Sequence, residues 1–249
     1  MMKFNFETAA LTHVGNMRKV NEDSLFADAR RGIWVVADGM GGHRDGGVAS
    51  AMITDAARAL INTERLSTQL SKQLAKINQT LADLAGGEDH NIIGSTVAAL
   101  LAEGANFTCV WAGDSRCYLV RKGVINQISR DHTEVQELVA SGIITLEEAR
   151  TWPRRNVITR AVGAARTLEL DQVTGVVAAG DCFVLCSDGL TGHVTDAEIL
   201  SSVTWSAPQP ACEQLLALAL ERGGKDNISI IVVNVRNPDK TFVIQTDRT

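Results

Sequence analysis

Two apolar runs in this 249-residue sequence end in the same dipeptide: Val35-Val36-Ala37 leads into Asp38-Gly39, and Cys182 to Ser187 leads into Asp188-Gly189. A third run, Ile228 to Val233, begins just after Asp226. In antiparallel neighbours the end of one strand and the start of the next share an edge, so Asp38, Asp188 and Asp226 are placed to converge. Asp114 and Asp23, also beside strand ends, can join them. Carboxylates gathered in this way repel one another and stay ionised only beside a cation. Hard divalent metals such as Mg2+ or Mn2+ take oxygen ligands from carboxylates, carbonyls and water. The glycine after Asp38 leaves its own carbonyl open to such an approach. The local alternative is a turn: Asp-Gly is a strong hairpin signal, and aspartate is favoured at a position such as Asp114 for purely local reasons.

Other chemistries find no support. Gly39 to Arg44 fails the dinucleotide fingerprint at its last position, and the sequence has no P-loop and no nucleophile elbow. With five histidines, no H-x-x-x-H pair and no clustered cysteines, a histidine or thiolate metal site is not expected.

The elements that must carry the acids are legible from periodicity. Trp34 to Ala37 is continuously apolar, as a strand covered on both faces is, which would hold Asp38 at a stiff strand tip. Phe4 to His13 and Ser24 to Ala27 read as strands flanking a polar loop that holds Arg18, Glu22 and Asp23; such charges are usually solvated. Ala49 to Leu60 and Leu66 to Leu84 carry apolar residues at helical spacing, so the pair should cover one face of a sheet. Thr96–Leu101, Asn106–Ala112, Arg116–Arg121 and Val124–Ser129 follow as short-looped strands, which predicts an antiparallel meander. Thr133-x-x-Gln136 and Thr145-x-x-Glu148 are capping-box sequences opening two short helices in a polar excursion, Asp131 to Arg155, that resembles an inserted flap. Leu168–Val177 and Asp181–Ser187 resume the strands. Thr195 caps a helix, and Cys212 to Leu220 marks a last helical stripe before the buried run from Ile228. Asn237 onward is a polar tail with one apolar patch, Phe242 to Ile244.

Bulk properties bound the function classes. A chain 45% hydrophobic and 21% charged is an ordinary globular composition. The net charge of −5 and the lack of any Lys/Arg run argue against nucleic acid as a partner. No stretch is long and apolar enough to span a membrane, and the N-terminus lacks a signal-peptide core. The five cysteines are odd in number without C-x-x-C spacing, as expected of small buried hydrophobes in a reducing cytoplasm.

Arg18 with Asn21-Glu22-Asp23, Asp38-Gly39-Met40-Gly41-Gly42-His43, Gly94-Ser95-Thr96, Gly113-Asp114-Ser115-Arg116, Asp131-His132-Thr133, Ile158 to Gly163, Ser187-Asp188-Gly189 and Asp226-Asn227 occur in this order. Together they resemble the metal-dependent Ser/Thr protein phosphatases of the type 2C family in their compact bacterial form. The likeness runs from about residue 8 to about residue 235.

That resemblance implies an α+β fold, a four-layer α-β-β-α sandwich of two antiparallel sheets with a small helical flap at about 131–165. The chain would be a single catalytic domain over 1–249 with a polar tail from about 237. It implies two Mn2+ or Mg2+ ions at one sheet edge: Asp38 bridging both, the Gly39 carbonyl on one, Asp188 and Asp226 on the other. Asp114 with Asp188 would match a third, weaker metal site, and Glu22 and Asp23 would ligate or hold metal-bound waters. Arg18 would grip the substrate phosphate while a hydroxide bridging the metals attacks phosphorus. Eukaryotic members have a histidine directly after Asp-Gly, where this chain has Met40. His43 matches a histidine of bacterial members, leaving His43 and a metal-bound water as candidate donors to the leaving alkoxide. The implied partners are phosphorylated proteins and an opposing Ser/Thr kinase, met in the cytoplasm by a monomer that needs neither nucleic acid nor membrane. The competing functions are a catalytically inactive phosphoprotein-binding module, which would usually lack one of Asp38, Asp188 or Asp226, and a small-molecule phosphatase.

Overall fold

The computed structural model describes residues 4–41, 45–61, 63–86 and 92–237. Two antiparallel sheets pack face to face. One has the order β1 (Asn5–His13), β11 (Ile228–Arg236), β10 (Cys182–Cys186), β7 (Arg116–Arg121), β8 (Val124–Gln127). The other runs β2 (Asp23–Asp28), β3 (Ile33–Met40), β5 (Val97–Glu103), β6 (Asn106–Ala112), β9 (Asp171–Val176), with β4 (Gly94–Ser95) pairing the end of β3.

The period-2 geometry of strands explains why the central ones are continuously apolar. In β3, Ile33, Val35 and Ala37 face the helices α1 (Asp45–Arg58) and α2 (Leu66–Leu84), while Trp34 and Val36 face the opposite sheet. In β11, Ile228, Ile230 and Val232 face α5 (Asp188–Thr191), α6 (Asp196–Thr204) and α7 (Pro208–Glu221), while Ile231, Val233 and Val235 face inward. The three cores thus lie between successive layers of an α-β-β-α sandwich. Along α2, Leu66, Leu70, Leu74, Ile77 and Leu81 are buried, each worth roughly 1.5–3 kcal/mol of burial. All five cysteines are unpaired and buried, as the sequence predicts.

Two expectations are corrected. The meander does not stay in one sheet: β5 and β6 belong to the second sheet, β7 and β8 to the first. The chain turns this corner at Gly113-Asp114-Ser115, where Gly113 has φ +111° and lies so close to Thr96 that a Cβ would clash. Nor does β3 end before Asp38. It continues to Met40 because Asp38 and Gly39 find backbone partners on both sides: Thr96 N donates to Asp38 O at 2.9 Å, and Gly39 N donates to Glu22 O at 3.2 Å. Asp38-Gly39 is strand, not a turn.

Between β8 and β9 the flap carries α3 (Glu134–Ala140) and α4 (Leu146–Arg150). The reciprocal capping box is present at Thr145 and Glu148; Thr133 caps α3 through its side chain alone, its Oγ1 accepting from Gln136 N. His43 and the tail beyond Asn237, with Phe242 to Ile244, lie outside the described residues.

Candidate metal centre

The acids come together at one end of the sandwich. Asp23 on β2 stands directly opposite Asp38 on β3, a like-charge pairing that a sheet disfavours without compensation. Cys186 pairs with Ile230, so Asp188, just past β10, and Asp226, just before β11, share the same end of the facing sheet. The β6–β7 corner adds Asp114.

Burial is the main force on these carboxyls, and neighbouring acids add to it. It pushes Asp23 up to about 6, helped by Asp188 and Asp226 and opposed by the hydroxyls of Ser229 and Ser187. It pushes Asp114 up to about 8, with Asp188 the strongest neighbour. Asp38 is raised well above the usual range by burial and then by Asp23, Asp188, Asp114 and Asp226. Asp188 is raised by burial and by Asp226.

Four buried side-chain oxygens have no hydrogen-bond partner among the described residues: Glu22 Oε1, Asp23 Oδ1, Asp114 Oδ1 and Asp188 Oδ1. An orphaned buried acceptor costs about 1–3 kcal/mol, more when charged, and all four here are carboxylate oxygens at one edge. Among the described residues no three His, Cys, Asp or Glu side chains close into a ready cation cage; what calls for a cation is the orphaned oxygens. A donor set of carboxylates alone suits hard divalent ions.

The arrangement is held by neighbours to which sequence reasoning gave no role. Asn227 spans three segments: its Oδ1 accepts from Glu22 N at 2.7 Å, and its Nδ2 donates to Val14 O and Val20 O at 2.9 and 3.0 Å. It thereby ties the loop bearing Arg18 to the start of β11. Thr96 Oγ1 accepts from Asp38 N at 3.0 Å and bonds Ser115 Oγ at 2.7 Å, joining β3 to the corner of Asp114. Ser187 donates to Asp23 Oδ2 at 2.8 Å and accepts from Ser229 N, linking the two sheets. The available signal was position: each is a small hydrogen-bonding residue inside a motif that carries an acid. Gly39 serves close packing, because a side chain there would strike the carbonyl of Gly46 in α1.

Arg18 Nη2 donates to Asp226 Oδ2 at 2.8 Å, with both side chains substantially exposed. Such a pair contributes little to stability, so the guanidinium is free to exchange partners. Asp114, Asp188 and Asp226 open into a cleft of about 590 Å3 walled by the flap on one side and the sandwich on the other. Beside Asp114, Arg116 grips Asp131 with two nitrogens, Nε at 3.0 Å and Nη2 at 2.7 Å, and so anchors the base of the flap. Arg154 pairs with Glu134 on the flap surface.

Residues 15–228 match the model of the protein phosphatase 2C family. The serine/threonine protein phosphatase PstP of Mycobacterium tuberculosis strain CDC 1551 is 38% identical over 235 residues, covering 93% of this chain and 45% of that protein. The chain therefore spans about half the length of this relative. PppA, described as a key regulatory component of T6SS in Pseudomonas aeruginosa, superposes with a TM-score of 0.86 at 40% identity, covering 93% of this chain and 98% of that one. The catalytic domain of PstP, solved in complex with two manganese ions, superposes with a TM-score of 0.82 at 34% identity over 94% of this chain and 99% of that one.

Proposed function

The chain belongs to the protein phosphatase 2C family, and on that basis we propose that it hydrolyses phosphoserine and phosphothreonine in proteins in a Mn2+- or Mg2+-dependent reaction. The observation that carries this reading is the set of four orphaned carboxylate oxygens beside an exposed arginine. Asp38, Glu22, Asp23, Asp114, Asp188, Asp226 and the Gly39 carbonyl are the oxygens that would hold two cations, with Asp114 and Asp188 the pair for a third. When bound, the metals supply Lewis-acid polarisation of the phosphoryl oxygens and lower the pKa of water.

The chain's own residues do the rest. Arg18 leaves Asp226 and offers its planar fork to two phosphoryl oxygens, a charge-assisted bidentate contact that also fixes the ester for in-line displacement. Thr96, Asn227 and Ser187 hold the acids in place, so little reorganisation is needed as charge develops. The departing serine or threonine alkoxide takes up a proton in the cleft, for which His43 is our candidate donor. We read the whole chain as one catalytic domain, a cytoplasmic monomer acting opposite a Ser/Thr kinase; the five unpaired buried cysteines suit a reducing compartment. No helix among the described residues is long and apolar enough to cross a membrane.

The test is phosphate release from a phosphothreonine peptide by EDTA-stripped protein as Mn2+ is restored; no metal-dependent release would overturn the reading. In that assay Arg18→Ala should lower kcat/KM by roughly 10- to 100-fold, the worth of a charge-assisted hydrogen bond. Its unfolding midpoint should barely move, because the Asp226 pair is exposed. A parent-like kcat/KM would remove Arg18 from phosphate binding.

A further inference from the structure

The cleft that holds the acids also carries unpaired positive charge on its lining. Several of its charged groups are already engaged: Asp131 by Arg116, Asp226 by Arg18, and Arg222 by Glu198 and by the His193 carbonyl. Two cations on the lining have no carboxylate partner among the described residues. Arg155 projects from the flap wall and Lys225 from the sandwich wall, and both are exposed.

The sandwich wall is built rather than loose. Gly223 and Gly224, at φ +120° and +48°, fix the turn after α7, and Gly224 N donates to Ala219 O at 3.0 Å. Lys225 N donates to His193 Nε2 at 3.2 Å. Glu198, locked by the capping box of α6, holds Arg222, and Arg222 Nη1 holds the His193 carbonyl at 2.8 Å. The backbone at Lys225 is thus held against His193, and Lys225 and Arg155 line the same cleft as Asp114, Asp188 and Asp226.

We propose that Arg155 and Lys225 form a second anion subsite in this cleft, which takes a carboxylate or a second phosphate carried by the substrate near the phosphoresidue being hydrolysed. A chain with an excess of acid has reason to place unpaired cations here, since the acids of the same cleft would otherwise repel an anionic peptide. The inference rests on the phosphatase reading and sets which phosphoproteins the site prefers.

The experiment compares three phosphothreonine peptides with flanking alanines, flanking glutamates or a neighbouring second phosphothreonine. The substrates are given to the parent, Lys225→Glu, Arg155→Glu and the double variant, and each rate is divided by the same protein's Mn2+-dependent rate on p-nitrophenyl phosphate. The parent should favour an anionic peptide over the alanine peptide by roughly tenfold, the sum of two partly exposed ion pairs. Each single reversal should lose part of that ratio, and the double variant should abolish or invert it. Preference for the glutamate peptide identifies a carboxylate as the ligand, and preference confined to the doubly phosphorylated peptide identifies a phosphate. Equal normalised rates for all three peptides in an active parent would overturn the subsite alone. A parent inactive on p-nitrophenyl phosphate would overturn the phosphatase reading instead.

Discussion

Asp38→Asn is expected to lower metal-dependent phosphate release at least about a thousandfold while making the metal-free protein harder to unfold. Asparagine keeps the shape of the side chain and the backbone bonds to Thr96 and Glu22 that hold β3 straight through this position. What it removes is the charge most surrounded by other acids: Asp23 across the ladder, then Asp188, Asp114 and Asp226. With that repulsion gone, stability in EDTA at pH 8 should rise by on the order of 1 kcal/mol, a few degrees in midpoint for a chain of this size. A gain in stability paired with a loss of activity is the signature of a site strained for function. A variant that keeps a tenth of parental activity would show that Asp38 is not a ligand the reaction needs.

The second large effect is an inversion of pH dependence by metal. A carboxyl whose folded value is raised binds its proton more tightly in the native state, so its contribution to stability is full below the unfolded value and is lost as pH rises through the folded one. For Asp23 that window runs from the ordinary carboxylate value to about 6, and for Asp114 to about 8. Stability in EDTA should therefore fall between pH 5 and pH 8, by at least about 1 kcal/mol. Groups with depressed values, Asp28 beside Arg31 and Glu198 beside Arg222, have finished ionising below this window and do not offset it. Cations compete with protons for the same oxygens, so Mn2+ should stabilise more at pH 8 than at pH 5. Thermal unfolding at the two pH values, with EDTA and with Mn2+, reads this directly. A midpoint that rises from pH 5 to pH 8 in EDTA and ignores Mn2+ would contradict it.

The acids were legible because a strand buried on both faces is an uninterrupted apolar run, so the polar residue that ends it stands out. Asp188 and Asp226 were found in this way, and the individual strands and covering helices followed from the periodicities, whereas their division into two facing sheets followed only from the family resemblance. The continuation of β3 through Asp38 was not legible, since Asp-Gly has turn composition and the partners that keep it extended, Glu22, Ser95 and Thr96, are supplied by other segments. The corner at Asp114 looked like one more hairpin for the same reason: its φ is set by Gly113 against Thr96, a contact between two strands. The roles of Asn227 and Ser187 depend on bonds to Glu22 and Asp23 spanning 205 and 164 residues. No local pattern encodes these. The Arg18–Asp226 pair is equally non-local, and it places the expected phosphate-gripping arginine on one of the expected ligands.

The orphaned carboxylates should together hold divalent metal. Calorimetric titration of Mn2+ into EDTA-stripped, dialysed protein, repeated at pH 7 in buffers of different ionisation enthalpy, tests it most directly. At least two Mn2+ per chain are expected to bind, with release of protons from the raised carboxyls, so that the heat depends on the buffer. Asp38→Asn should lose sites. Fewer than one Mn2+ per chain, or the same stoichiometry in Asp38→Asn, would contradict it.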